Sequence, residues 1–151
     1  MRLTGWERGG LRAGGAAGVR RERAEGAAMR VLLIEDEEHI REIAQLSLES
    51  IAGWEILAAN GGTEGLVVAT REQPDAILLD VMMPDLDGPA TLAALRAQAT
   101  TAEIPVVFLT AKARAAESRE LRQLGAVGVI NKPFDPMMLA GQVADALGWT
   151  L

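Results

Sequence analysis

From residue 30 onward, hydrophobic positions along the chain keep two alternating rhythms. Short apolar runs at 31–34, 54–58, 76–79, 105–109 and 127–130 predict buried strands, because each is too short for a helix and is bounded by Gly, Pro or charged residues. Between them the apolar positions spread to helical spacing. Ile40, Ile43, Ala44, Ser47, Leu48 and Ile51 share one helical face. The same logic predicts helices over 62–71, 89–98, 114–124 and 135–147. Gly53 and Gly125 read as helix stops, Pro74 ends the second helix, and Pro84 with Asp87-Gly88 marks a loop. Five strands alternating with five helices imply a doubly wound α/β domain, a parallel sheet covered on both faces and joined by right-handed crossovers.

Residues 1–28 do not share this pattern. They are rich in Gly, Ala and Arg and carry few large side chains, so ordering them would cost more entropy than their burial returns. A disordered basic tail is expected there, followed by one domain over 29–151; a marginal helix over 19–28 is the ordered alternative. Met29 directly precedes the first strand and is a candidate translation start, which would make the tail an artefact. The tail also changes the reading of charge. It holds six Arg against three Glu, a net +3, so the rest of the chain carries −9 of the total −6. An acidic body lacks the basic face that counterion release from nucleic acid requires, and no direct DNA binding is expected. The chain has no cysteine, which removes disulfides, thiolate catalysis and sulfur-ligated zinc. No apolar run approaches the ~20 residues that span a bilayer, and no signal-peptide stretch opens the chain, so a cytoplasmic location without membrane contact is expected.

The chemistry-bearing residues stand at the predicted C-terminal ends of strands, where open α/β sheets place their ligand sites. They are Glu35 and Asp36 after the first strand, Asp80 after the third, Thr110 after the fourth and Lys132 after the fifth. Each has a plain alternative. Acidic residues favour helix N-termini, a threonine favours a strand end, and a lone lysine is commonly a surface charge. Converging carboxylates repel by roughly 3–4 kcal/mol per pair at 4–6 Å and an effective dielectric near 20. A hard divalent cation relieves that repulsion, and an oxygen-only donor set suits Mg²⁺.

The segments 32–38 (LLIEDEE), 78–88 (LLDVMMPDLDG), 108–112 (FLTAK) and 131–134 (NKPF) together resemble the signature segments of bacterial response regulator receiver domains, over about residues 30–147. The resemblance implies a stand-alone, CheY-like receiver with a flavodoxin-like sheet in the order 2-1-3-4-5. It implies that Asp80 accepts a phosphoryl group from a histidine kinase or phosphotransfer protein. Mg²⁺ would be held by Asp36 and Asp80, by Glu35 through water, and by the backbone carbonyl of Met82. It further implies that Lys132 stabilises the phosphorylated state across a cis bond to Pro133. Thr110 would carry the change to a face formed by the fourth helix, fifth strand and fifth helix, where a downstream protein docks; a homodimer formed on phosphorylation is left open. The chain departs from the family in one place. Val129 stands where an aromatic residue is common, and there is no tyrosine, so the coupled Thr–aromatic movement cannot run in its usual form. Met82 and Lys112 flank the site at positions that influence phosphate loss.

Two other readings compete. An aspartate-nucleophile phosphatase would carry a second Asp two residues after the nucleophile, where this chain has Met82. A degenerate receiver would act as a phosphorylation-independent interaction module, but all four site types are present. Elsewhere, His39 reads as a helix-surface residue and Met137-Met138 as core or partner surface. Gly61-Gly62 lacks a phosphate-loop context, and Trp149 reads as a cap on the core or a partner contact.

Overall fold

Residues 26–111 and 114–151 are described by the structure, a computed structural model. The expected tail therefore lies outside the described residues except at 26–28, which are exposed and belong to no element; Lys112 lies outside them too. The strands are β1 (Arg30–Ile34), β2 (Glu55–Ala59), β3 (Ala76–Asp80), β4 (Val106–Thr110) and β5 (Gly128–Asn131). The helices are α1 (Glu38–Ser47, prolonged by a π turn at Leu48–Ala52), α2 (Gly62–Glu72), α3 (Gly88–Ala97), α4 (Ala115–Gln123) and α5 (Leu139–Leu147). All strand pairs are parallel, in the order β2-β1-β3-β4-β5.

Alternate side chains of a strand point to opposite faces, and here each face has its own core. Leu32, Ile34, Ile77, Leu79, Val106 and Phe108 pack with Val68, Leu92, Leu95 and Leu121 from α2, α3 and α4. Val31, Leu33, Leu78, Val107 and Leu109 pack with Ala44, Leu48, Leu139 and Val143 on the α1 and α5 side. Because β3 and β4 are buried on both faces, their sequences read as continuous apolar runs.

Several boundaries shift by a residue, and the start of the last helix by four. Trp54 does not open β2; it precedes the strand and meets Trp149 edge-on, with ring centroids 5.3 Å apart at 89°. The last helix begins at Leu139, not 135: residues 136–138 form a turn leading into it, in which the Asp135 side chain accepts the Met137 N–H at 2.9 Å and its carbonyl the Met138 and Leu139 N–H groups. Met137 and Met138 are exposed there, which removes the core reading for that pair. On α1 the buried stripe is narrower than its spacing implies. Ala44, Ser47 and Leu48 face the core, whereas Ile43 and Ile51 are exposed. The π turn adds a residue and rotates Ile51 off the buried face. Ser47 Oγ donates to the Pro136 carbonyl and ties α1 to the segment after β5.

Candidate functional site

Strand pairing brings the predicted residues to one end of the sheet. The Glu35 N–H donates to the Ala59 carbonyl at 3.1 Å, extending the β1–β2 ladder by one residue and turning Glu35 inward, where it is fully buried. Asp36 follows and is exposed. Asp80 closes β3 in register with Leu109 and is 2% exposed. Thr110 closes β4, is buried, and its carbonyl accepts the Lys132 N–H at 2.9 Å, which draws the segment after β5 toward β4.

Lys132 Nζ donates to Glu35 Oε1 and to Asp80 Oδ1, both at 3.0 Å. Its side chain is 15% exposed, so this is one ammonium shared by two carboxylates that water scarcely reaches. The Lys132–Pro133 peptide is cis. Burial pushes the Glu35 carboxyl above its usual range despite hydrogen bonds from the Glu37 N–H and Lys132. Burial also pushes Asp80 up, with Lys132 opposing. Burial alone would lower Lys132, but its hydrogen bonds to Asp80 and Glu35 outweigh that and raise it. Among the described residues, two buried carboxylates thus share a single hydrogen-bonded cation. Asp36 adds a third: one oxygen from each of Glu35, Asp36 and Asp80 lies within 4.8 Å of the others. Oxygen donors at this spacing, with no soft ligand among them, fit a hard divalent cation.

Met82 lies two residues after Asp80, in the loop from β3 to α3, with its side chain exposed. The base of that loop is tightly closed. The Val81 N–H donates to the Leu109 carbonyl at 3.0 Å and the Gly88 N–H to the Val81 carbonyl at 2.8 Å. A Cβ at Gly88 would stand 2.6 Å from the Asp80 carbonyl oxygen, so only glycine allows the α3 N-terminus this close to the acidic strand end. The Asp87 carboxylate caps α3 by accepting the Ala90 N–H at 2.8 Å.

Among the other sequence candidates, His39 is exposed on α1 and stands apart from the acidic cluster's oxygen set. Two residues escaped sequence reasoning. Arg41 reaches back from α1 to the Glu35 carbonyl at 2.9 Å, and Asp85 bonds the start of α2. Neither left a signal in spacing, since Asp85 is 23 residues from its partner and sits in a stretch that reads only as a turn.

Residues 31–144 match the family model described as the response regulator receiver domain. The chain belongs to that family. The receiver domain is 37% identical over 106 residues to the "DNA-binding dual master transcriptional regulator RpaA" of Synechocystis, covering 70% of this chain and 44% of that protein. It is 37% identical over 114 residues to the "Alkaline phosphatase synthesis transcriptional regulatory protein PhoP" of Bacillus subtilis, covering 76% and 46%. The chain thus spans about half the length of the curated relatives it matches. Among solved structures, the receiver domain is similar to the Vibrio cholerae chemotaxis protein CheY4, with 31% identity, a TM-score of 0.74, and coverage of 80% of this chain and 99% of that one. A response regulator of Desulfuromonas acetoxidans gives a TM-score of 0.71 at 26% identity, covering 80% and 97%. A receiver is a signalling domain of two-component response regulators, and Mg²⁺ is typical of the family. Among the described residues no helix is long and apolar enough to cross a membrane.

Proposed function

We propose that this chain accepts a phosphoryl group on Asp80 from a histidine kinase or phosphotransfer protein and presents the change to a protein partner. The observation that carries the reading is the excess of buried carboxylate over cation: Glu35 and Asp80 share Lys132, with Asp36 within reach. Glu35, Asp36, Asp80 and the Met82 carbonyl would hold Mg²⁺, Glu35 through water. When bound, the cation supplies positive charge to the phosphoryl oxygens. An Asp80 carboxylate oxygen attacks phosphorus as the P–N bond to the donor imidazole breaks, and the imidazole leaves with a proton from solvent. Lys132 is already at hydrogen-bond distance from Asp80 and turns its ammonium to the new phosphoryl group. Thr110, at the neighbouring strand end, offers its hydroxyl to a phosphoryl oxygen. A ligand present in only one state then biases a two-state switch toward the face of α4, β5 and α5. Val129 on β5 packs partly buried on the α4 side of the sheet and leaves that route without an aromatic lever.

The chain accordingly acts as a signalling switch, not as a turnover enzyme, with residues 29–151 as its domain and the cytoplasm as its place. The absence of DNA contact rests only on the acidic body of this chain, because the relatives it matches over half their length are named transcriptional regulators. Intact-protein mass after incubation with acetyl phosphate and Mg²⁺ tests the acceptor. Wild type should gain one phosphoryl mass, lose the gain with chelator, and show none in Asp80→Ala. No gain from acetyl phosphate or from a panel of phosphorylated histidine kinases would overturn the reading in favour of a phosphorylation-independent interaction module.

A further inference from the structure

The tip of the β3–α3 loop is tied to a different helix by one carboxylate. Asp85 Oδ1 accepts the Gly62 N–H at 3.3 Å and Oδ2 accepts the Thr63 N–H at 3.0 Å. Both donors belong to the first turn of α2, where backbone N–H groups have no intrahelical acceptor. The residue before α2, Gly61, has no side chain to accept them, so Asp85 serves as the cap from another element. The fit is close on both sides. A Cβ on Gly61 would lie 2.9 Å from each Asp85 carboxylate oxygen, so glycine leaves the space that the carboxylate fills. Hydrogen bonds from Thr63 foremost, with Leu86 and Gly62, hold the Asp85 carboxyl at about 2. It therefore stays ionised in its clamp at any ordinary pH.

This clamp completes the restraint of a loop already fixed at its base. The Val81 and Gly88 bonds close one end, and Met83 is buried in the core. Met82 projects its side chain to solvent, so its peptide is placed by what holds the loop on either side. We propose that Asp85 is a positioning residue for the cation site: by bonding the N-terminus of α2 it fixes the backbone of Met82, whose carbonyl would join the oxygens of Glu35, Asp36 and Asp80 in holding the cation. The inference rests on the reading of that set as a Mg²⁺ site, and it accounts for Gly61; Gly62 is glycine for a different reason, since a Cβ there would meet Thr91 and Leu86.

Calorimetric titration of the full chain with MgCl₂ tests it, on wild type, Asp85→Ala, Asp85→Asn, Gly61→Ala and the Asp85→Ala/Gly61→Ala double variant. Asp85→Ala and Gly61→Ala should each weaken Mg²⁺ binding by about tenfold, the low end of what outer partners of a metal site cost. The double variant should be no weaker than Asp85→Ala, because both changes sever one contact. Asp85→Asn, which keeps one acceptor oxygen, should fall between wild type and Asp85→Ala. A merely structural role would lower the melting temperature of these variants and leave the Mg²⁺ Kd of the folded protein unchanged. Wild-type Kd values in both Asp85→Ala and Gly61→Ala would overturn the role of Asp85 and leave the cation site standing. A wild-type chain that binds no Mg²⁺ would overturn both.

Discussion

Lys132→Met keeps the length of the side chain and removes its charge, which isolates the contribution of the shared ammonium. At 3.0 Å from each carboxylate, the ammonium attracts Glu35 and Asp80 by about 5–6 kcal/mol apiece at an effective dielectric near 20. Across up to 4.8 Å the two carboxylates repel one another by about 3.5 kcal/mol on the same scale. The variant keeps the repulsion and loses the attraction. Its escape is to protonate one carboxyl, since both already sit above their usual range. That escape and the recovered desolvation of the amine hold the net loss near 3 kcal/mol, as for other buried pairs with one partner removed. For a domain of this size, the melting temperature should fall by about 10 °C. The assay is thermal unfolding by circular dichroism, with chelator and with saturating Mg²⁺. The cation should restore at least half of the loss, because it neutralises the same oxygens that Lys132 served. The sign with pH follows from the raised carboxyls. Their ionised forms burden the folded state above their folded pKa values, so the deficit should shrink as pH falls through them. An unchanged melting temperature in chelator, or a deficit that Mg²⁺ leaves untouched, would refute the account of Lys132 as the counter-charge of the cluster.

Two further perturbations test neighbouring parts of the site. Gly88→Ala would place a Cβ 2.6 Å from the Asp80 carbonyl oxygen and 2.9 Å from Phe108, and should destabilise by about 2–3 kcal/mol in urea unfolding; a loss near zero would show that the start of α3 can move away from β3. Asp85, held at about 2 against roughly 3.9 when unfolded, contributes stability that is present above pH ~4 and lost as pH falls through ~2. Asp85→Asn should therefore flatten the acid side of the stability profile in that window, and parallel profiles for the two proteins would contradict the clamp.

The sheet was legible because its central strands are covered on both faces, so β3 and β4 carry unbroken apolar runs that end on Asp80 and Thr110. Glu35, Asp36, Asp80, Thr110 and Lys132 were candidates for the same reason: ligand sites in this architecture collect at strand ends, and strand ends are visible as changes in pattern. What stayed hidden are contacts without a period. Ile43 and Ile51 match a helical stripe, yet the π turn and the narrow seam of α1 leave them exposed. The turn at 136–138 that leads into α5, with Asp135 accepting the Met137 N–H, is a local departure that apolar spacing does not encode. Asp85 and Arg41 bond backbone groups, and any residue type can supply a backbone group, so no pattern of side chains reveals them.

The tryptophan pair has a consequence for how this protein can be watched. Trp54 stands immediately before β2 and Trp149 two residues beyond α5, in contact with each other at the N-terminal end of the strands. The carboxylates gather at the opposite end, a strand length of about 16 Å away. In a Trp6→Phe background, ultraviolet emission from this pair gauges whether the C-terminal helix is seated, and events at Asp80 reach it only through a movement of that helix. A fluorescent reporter of the acidic end has to be introduced there.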